Sequence, residues 1–160
     1  MVNLLSLTSA AAAASVSILD HTQTFAVDLT NTACTNFTPI EQFHWHATAA
    51  EAFNLTAVGS NFKVTNVQCG SVLSYAGSAT GVNPVRSQPV GLAGANTVWN
   101  IVPVNATTFR FLESVSGTAL TAWANKPTQD SNSSPLTLEA NRVADDRQLF
   151  FFTTRTSSSS

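Results

Sequence analysis

FLESVSGTALTAW, from Phe111 to Trp123, has two ungapped counterparts in the same chain: ILDHTQTFAVDLT from Ile18 to Thr30 and VTNVQCGSVLSYA from Val64 to Ala76. The copies begin 46 and 47 residues apart. Each reads as an apolar start, a polar turn around Thr24, Gly70 or Gly117, and a second apolar strand, which is a β-hairpin written three times. Self-similarity at a period near fifty residues marks a fold assembled from equivalent units. A second register keeps step with the first: AAEAFNL ends at Leu55, ANTVWNI at Ile101 and DRQLFFF at Phe152, so that Phe53, Trp99 and Phe150 align.

The rest of each copy is short strands and turns. Val, Leu, Thr and aromatic residues form the strands, while Gly, Pro, Asn and Ser fill intervals such as SATGVNPVRSQP and NKPTQDSNSSP. No long segment carries a helical period, and the run Ala10 to Ala14 is too short to make a helix alone. An all-β chain of three equivalent units must close its sheet to leave no long edge exposed, which predicts a barrel with three-fold pseudo-symmetry. The expected organisation is an N-terminal extension over 1–15, one domain over 16–154 with repeats near 16–60, 61–107 and 108–154, and a frayed tail over 155–160.

The chain has 160 residues, a length that buries a real core without staples. Charged residues are only 10% and the formal net charge is −2, so solubility rests on Ser, Thr and Asn. There is no basic field for nucleic acid and no stretch of the roughly 18 apolar residues that a membrane-spanning helix needs. Neither nucleic-acid partners nor membrane insertion is expected.

MVNLLSLTSAAAAASVS at the start has an apolar run and an Ala-x-Ala pattern but no basic n-region. It reads as an Ala-rich extension, which makes the expected location cytoplasmic or non-classically secreted, with secretion through an atypical signal as the alternative. Sequons at Asn36, Asn54, Asn105 and Asn132 arise readily in so hydroxyl-rich a composition and decide nothing. Cys34 and Cys69 fall at non-equivalent positions of different copies, so free thiols are the expectation, with one bond between them as the alternative.

Three units of this length, each with a hairpin and a later Gln-x-Trp-like element, resemble the ricin B-like β-trefoils, especially the small single-domain fungal lectins. The element is Gln148-Leu149-Phe150 in the third copy, Thr97-Val98-Trp99 in the second and Glu51-Ala52-Phe53 in the first. The resemblance covers about residues 16 to 154. It implies a β-trefoil in which the aromatic of that element packs in the core rather than on ligand.

Strand alternation sends Val27 and Leu29 inward and Asp28 outward, with Ser74 and Thr121 equivalent to Asp28. Only the first copy keeps an acid. In the ricin B-like family an Asp at that position accepts hydrogen bonds from sugar hydroxyls, and the strand containing Phe43-His44-Trp45-His46 presents further contacts. The carbohydrate-binding candidates are therefore Asp28, Asn31, His44, Trp45, His46 and Asn54. If Phe43 and Trp45 point inward, both histidines stand outside near Asp28; a slip of one residue would instead make Trp45 the stacking platform. Tyr75, Trp123 and Asn125 are secondary candidates beside later loops.

Plainer readings accompany these. Asp28 could satisfy backbone N–H groups of the following turn, and Tyr75 and Trp123 could shield the edge of the core. His44, His46 and His21 lack the carboxylate pattern that would support zinc, so no metal and no cofactor is expected. No copy carries the family's complete galactose-type set: the first has Ala50 and Glu51 where a polar residue and Gln would stand. Either the first site has a rebuilt ligand preference, or sugar binding has been lost.

No nucleophile motif, paired catalytic carboxylates or phosphate loop occurs, and an enzyme is not expected. The expected function is a carbohydrate-binding lectin, its partners glycans or glycoproteins and a homodimer its route to avidity. One alternative is a β-trefoil protease inhibitor acting through the loops Ser78 to Gln88 or Asn125 to Ser134. The other is an accessory trefoil that has lost its pocket.

Overall fold

A computed structural model of the chain describes residues 15–35, 38–75, 83–84, 86–88, 97–123 and 133–155, with backbone alone at 83–84 and 86–88. Residues 1–14 of the N-terminal extension, 156–160 of the tail, Asn125 and nearly all of both proposed inhibitory loops lie outside these residues.

Six strands close a barrel. They are β1 (Val16–Asp20), β4 (Phe53–Val58), β5 (Asn61–Asn66), β9 (Trp99–Pro103), β10 (Thr108–Glu113) and β13 (Phe150–Thr154). Antiparallel pairing runs from β1 to β13, β10, β9, β5, β4 and back to β1, so each strand has two neighbours and the ring has no edge. Each copy contributes its first and last strand to this ring.

The middle strands of each copy form a hairpin that leaves the barrel. These are β2 (Phe25–Leu29) with β3 (Ile40–His44), β6 (Val72–Ser74) with β8 (Arg86–Gln88), and β11 (Ala119–Ala122) with β12 (Ser133–Glu139). Each hairpin holds to its own barrel strand at one equivalent pair: Leu19 with Ala26, Thr65 with Val72, and Leu112 with Ala119. β12 joins the hairpins by pairing with β3 and with β7 (Asn83–Pro84).

The repeated apolar positions are the core. Ile18, Val64 and Phe111 are buried, as are Val27, Leu73 and Leu120. Phe53, Trp99 and Phe150 are no more than 1% exposed, so the aromatic of each Gln-x-Trp-like element packs inside the barrel. Phe111 meets Phe150 edge-on at 5.6 Å, and Trp99 donates its Nε1–H to the Leu73 carbonyl at 3.0 Å. These contacts satisfy the one polar atom that the Trp brings into the core.

Three acceptors cap the first turns. Asp20 accepts from the Phe25 N–H at 3.2 Å and the Thr22 hydroxyl at 2.8 Å; Asn66 accepts from the N–H groups of Gln68 and Cys69; Glu113 accepts from those of Val115 and Ser116. The turns pivot at left-handed Gly70 and Gly117, but in the first copy the pivot is Gln23 (φ 57) rather than Thr24. There the turn bond spans three residues, Gln23 N–H to Asp20 carbonyl, where the other copies span four, which tightens it by one residue.

Cys34 and Cys69 are bonded, which corrects the expectation of free thiols. Their Cα atoms stand 5.2 Å apart because the turn after β2 lies beside the first turn of the second copy. The Gln68 amide donates to the Thr32 carbonyl at 2.9 Å in the same place. Position within a repeat was the wrong guide, since the bridge joins two different kinds of loop across a copy boundary.

Candidate functional site

β2 carries Ala26 and Asp28 on the face opposite Val27 and Leu29. On β3 the residues that turn toward the core are Ile40 and Gln42, which puts Glu41 and Phe43 on the face shared with Asp28. Asp28 stands directly opposite Glu41, and Phe43 pairs with Ala26 one step along. The chain leaves the strand at His44, so the alternation expected through Trp45 and His46 stops before it reaches them.

A cavity of about 160 Å³ opens over this face. It is lined by Asp28, Glu41, Glu51, Phe43 and His46, with Asn31, Thr32 and Thr48 from the loops. Three elements meet there: the β2–β3 hairpin, the turn Thr30–Thr32, and the 3-10 turn Ala49–Glu51. The loops are strained around it. Asn31, Thr32 and Ala47 have φ of 54°, 53° and 57°, a region costly for a β-branched residue such as Thr32.

The carboxylates are unequally provided for. Glu51, fully buried, accepts the N–H groups of His46 at 3.0 Å and Thr48 at 2.8 Å, which fixes the loop over the cavity. His46 Nδ1 stands 4.0 Å from Glu51. Asp28 is only 7% exposed yet accepts no hydrogen bond among the described residues. Burial, and then the charges of Glu51 and Glu41, push its carboxyl up to about 7. Among the described residues it caps no turn; in this copy Asp20 caps the β1–β2 turn and Glu51 the turn that starts at Thr48.

Of the residues singled out from the sequence, the structure thus brings together Asp28, Asn31 and His46. His44 is exposed, its ring 5.2 Å from that of His46 and 5.8 Å from that of Phe25, and it does not line the cavity. Trp45, 37% exposed, lies over a different hollow of about 400 Å³ with Gln23, Thr107 and Phe151. Asn54 belongs to barrel strand β4, opposite Thr65, and is no part of the cavity. Tyr75 is a correction: it is 2% exposed, and its hydroxyl donates to the Val98 carbonyl at 2.9 Å, so it is core. Its equivalents Leu29 and Ala122 are buried too, which shows why the position is apolar. Glu41, Phe43 and Glu51 were missed; the alternation of Ile40 and Gln42 with Glu41 and Phe43 was the signal, hidden because Gln42 is polar.

The third copy fills the corresponding place with its own side chains. Gln148 donates its amide to the Thr121 hydroxyl at 3.1 Å and to the Ala140 carbonyl at 2.9 Å. Trp123 donates its Nε1–H to Thr137 at 2.8 Å, and the Arg147 guanidinium covers its ring at 4.8 Å. Asp145 holds that guanidinium through two hydrogen bonds of 2.9 and 2.7 Å. In the second copy Ser74 pairs with Arg86, whose side chain is outside the described residues.

No family model and no curated protein sequence matches the chain. Solved structures do. A designed three-fold symmetric protein, ThreeFoil, superposes with a TM-score of 0.78 at 15% identity over 88% of this chain and 99% of its own. The Macrolepiota procera ricin B-like lectin, solved in complex with lactose, gives 0.72 at 14% identity over 92% and 100%. The Rhizoctonia solani agglutinin gives 0.74 at 17% identity over 91% and 98%. Ring, hairpins and neighbours agree: the fold is a β-trefoil, and its likeness to the ricin B-like trefoils extends over nearly the whole chain.

Proposed function

We propose that the chain is a non-catalytic carbohydrate-binding protein whose sugar site is the first-copy cavity. The observation that carries this is Asp28, nine-tenths buried and without a donor among the described residues, beside Phe43 on the same face of one hairpin. A sugar supplies what each lacks: vicinal hydroxyls that donate to a carboxylate, and an apolar C–H face for the ring. The cavity is smaller than the roughly 300–1,000 Å³ of ordinary small-molecule pockets, which suits one sugar ring held from one side. The lectin and agglutinin among the structural neighbours support the reading by analogy.

Such a site binds in the range of about millimolar to tens of micromolar, because few atoms are buried and hydroxyl desolvation offsets the gain. Among the described residues of the third copy, Gln148 bonds Thr121 and Arg147 covers Trp123 where the first copy has its cavity, and avidity would come from dimerisation. The Cys34–Cys69 bond favours the secreted alternative for location, since disulfides persist in oxidising compartments. A glycan array tests the function: a binder that is lost on Asp28→Ala supports it. An array without any binder sinks it and leaves the protease inhibitor and the accessory trefoil.

A further inference from the structure

We propose that the first-copy cavity selects a protonated amino sugar, with the ammonium on Asp28 in the negative field of Glu41 and Glu51 and the ring against Phe43. This rests on the reading of that cavity as a sugar site and names its ligand class.

The two ends of the chain differ in hydrogen-bond chemistry at equivalent positions. Where the third copy has Thr121, Thr137 and Gln148, the first has Asp28, Glu41 and Glu51. In the third copy the Gln148 amide donates to Thr121, and the pair is complete. In the first, the residue in the Gln position is a carboxylate, which has nothing to donate when ionised. Two of the three carboxylates are nine-tenths buried: Glu51 receives the N–H groups of His46 and Thr48, whereas Asp28 has no donor among the described residues.

The two carboxylates facing Asp28 have one sign, and the one basic side chain beside them is a histidine. Glu41 comes from β3, Glu51 from the 3-10 turn, and the titratable His46 from the loop between them. Among the described residues no Lys or Arg lines the cavity, and Arg155 gives its guanidinium to the carbonyls of Ala47 and Thr48. Directly opposed like charges on paired strands are destabilising. A group with several donors, no acceptor and a positive charge would complete the site, and an ammonium has those properties. A metal ion fits less well: among the described residues no three His, Cys, Asp or Glu side chains converge to hold one. Phe43 then reads the carbon face of the ring that carries the amine.

The test is calorimetric or NMR titration of the full chain at pH 7 with D-galactosamine and D-glucosamine, their N-acetyl derivatives, the parent sugars and methylammonium. One amino sugar should bind at least about tenfold more tightly than its N-acetyl and parent forms, a difference of about 1.4 kcal/mol. Glu51→Gln should narrow that ratio to under about threefold, and Asp28→Asn, checked for folding by circular dichroism, should remove binding. Equal or tighter Asp28-dependent binding of neutral sugars would overturn the selectivity while leaving the sugar site standing. Methylammonium binding as tightly as the amino sugars would overturn the role of the ring. If no sugar binds at all, the underlying reading fails and the selectivity with it.

Discussion

Asp28 and Glu41 are direct cross-strand partners, two carboxylates on one face of a hairpin, and only Asp28 is almost wholly buried. The folded chain therefore keeps the Asp28 proton to about pH 7, whereas the unfolded chain releases it near 3.8. Stability from this group is complete below about pH 4 and is lost as the pH rises to about 7, because the folded state binds the extra proton over that interval. Holding a proton over one further pH unit is worth about 1.4 kcal/mol, and solvent in the open cavity reduces the sum to about 2–4 kcal/mol. Asp28→Asn should match the parent within about 0.5 kcal/mol near pH 4 and exceed it by that larger amount at pH 8. Urea denaturation at the two pH values measures it. Glu113 and Asp145, whose carboxyls are held low by hydrogen bonds, are common to both proteins and cancel. Parallel curves would show that Asp28 titrates as an ordinary carboxyl.

The Cys34–Cys69 bond closes a loop with a sequence separation of 35, for which chain entropy gives about 3–4 kcal/mol. Replacing both residues by Ser should lower stability by roughly that amount. It should also weaken sugar binding severalfold, because the bridge and the Gln68–Thr32 hydrogen bond anchor the strained turn at the cavity rim. Denaturation midpoints and ligand titration report the two effects separately. An unchanged midpoint would mean that the bridge adds no constraint to the unfolded chain.

In the third copy, Trp123, Arg147 and Asp145 form a layered contact beside the counterpart of the proposed sugar position. A double-mutant cycle with Trp123→Leu and Arg147→Met should give a coupling of about 0.5–1 kcal/mol, the usual range for a half-exposed cation–π pair. Glycan binding should not change in either variant. Loss of binding in Trp123→Leu would move the site to the third copy.

The repeat made the architecture legible, since Ile18, Val64 and Phe111, or Phe53, Trp99 and Phe150, must be alike wherever a barrel with three-fold repetition packs its core. The site was less legible for the same reason: a binding surface is where copies are free to differ. Asp28 stood out as an acid opposite Ser74 and Thr121, but Glu51 passed as a decayed Gln, although its full burial makes it the loop's anchor. The capping set Asp20, Asn66 and Glu113 recurs in step as an acceptor at the third position of each copy, a signal legible in the sequence itself. The disulfide followed from the approach of two loops of different copies, which no comparison of equivalent positions reveals.

Phe43 rather than Trp45 or His44 is the aromatic face beside Asp28, because Gln42 takes the inward position on β3 and the strand ends at His44. Phe43→Ala should therefore weaken sugar binding by at least about tenfold, whereas Phe43→Trp, which keeps a flat apolar face, should retain it. Trp45→Ala and His44→Ala should leave affinity within about twofold, since Trp45 lies over a separate hollow and His44 is outside the cavity. Truncating the half-buried Phe43 also costs on the order of 1–2 kcal/mol of stability, so each variant is compared at a temperature where its circular dichroism is native. Retained binding in Phe43→Ala together with loss in Trp45→Ala would place the sugar over the hollow bordered by Thr107 and Phe151, and the β2–β3 cavity would lose its claim.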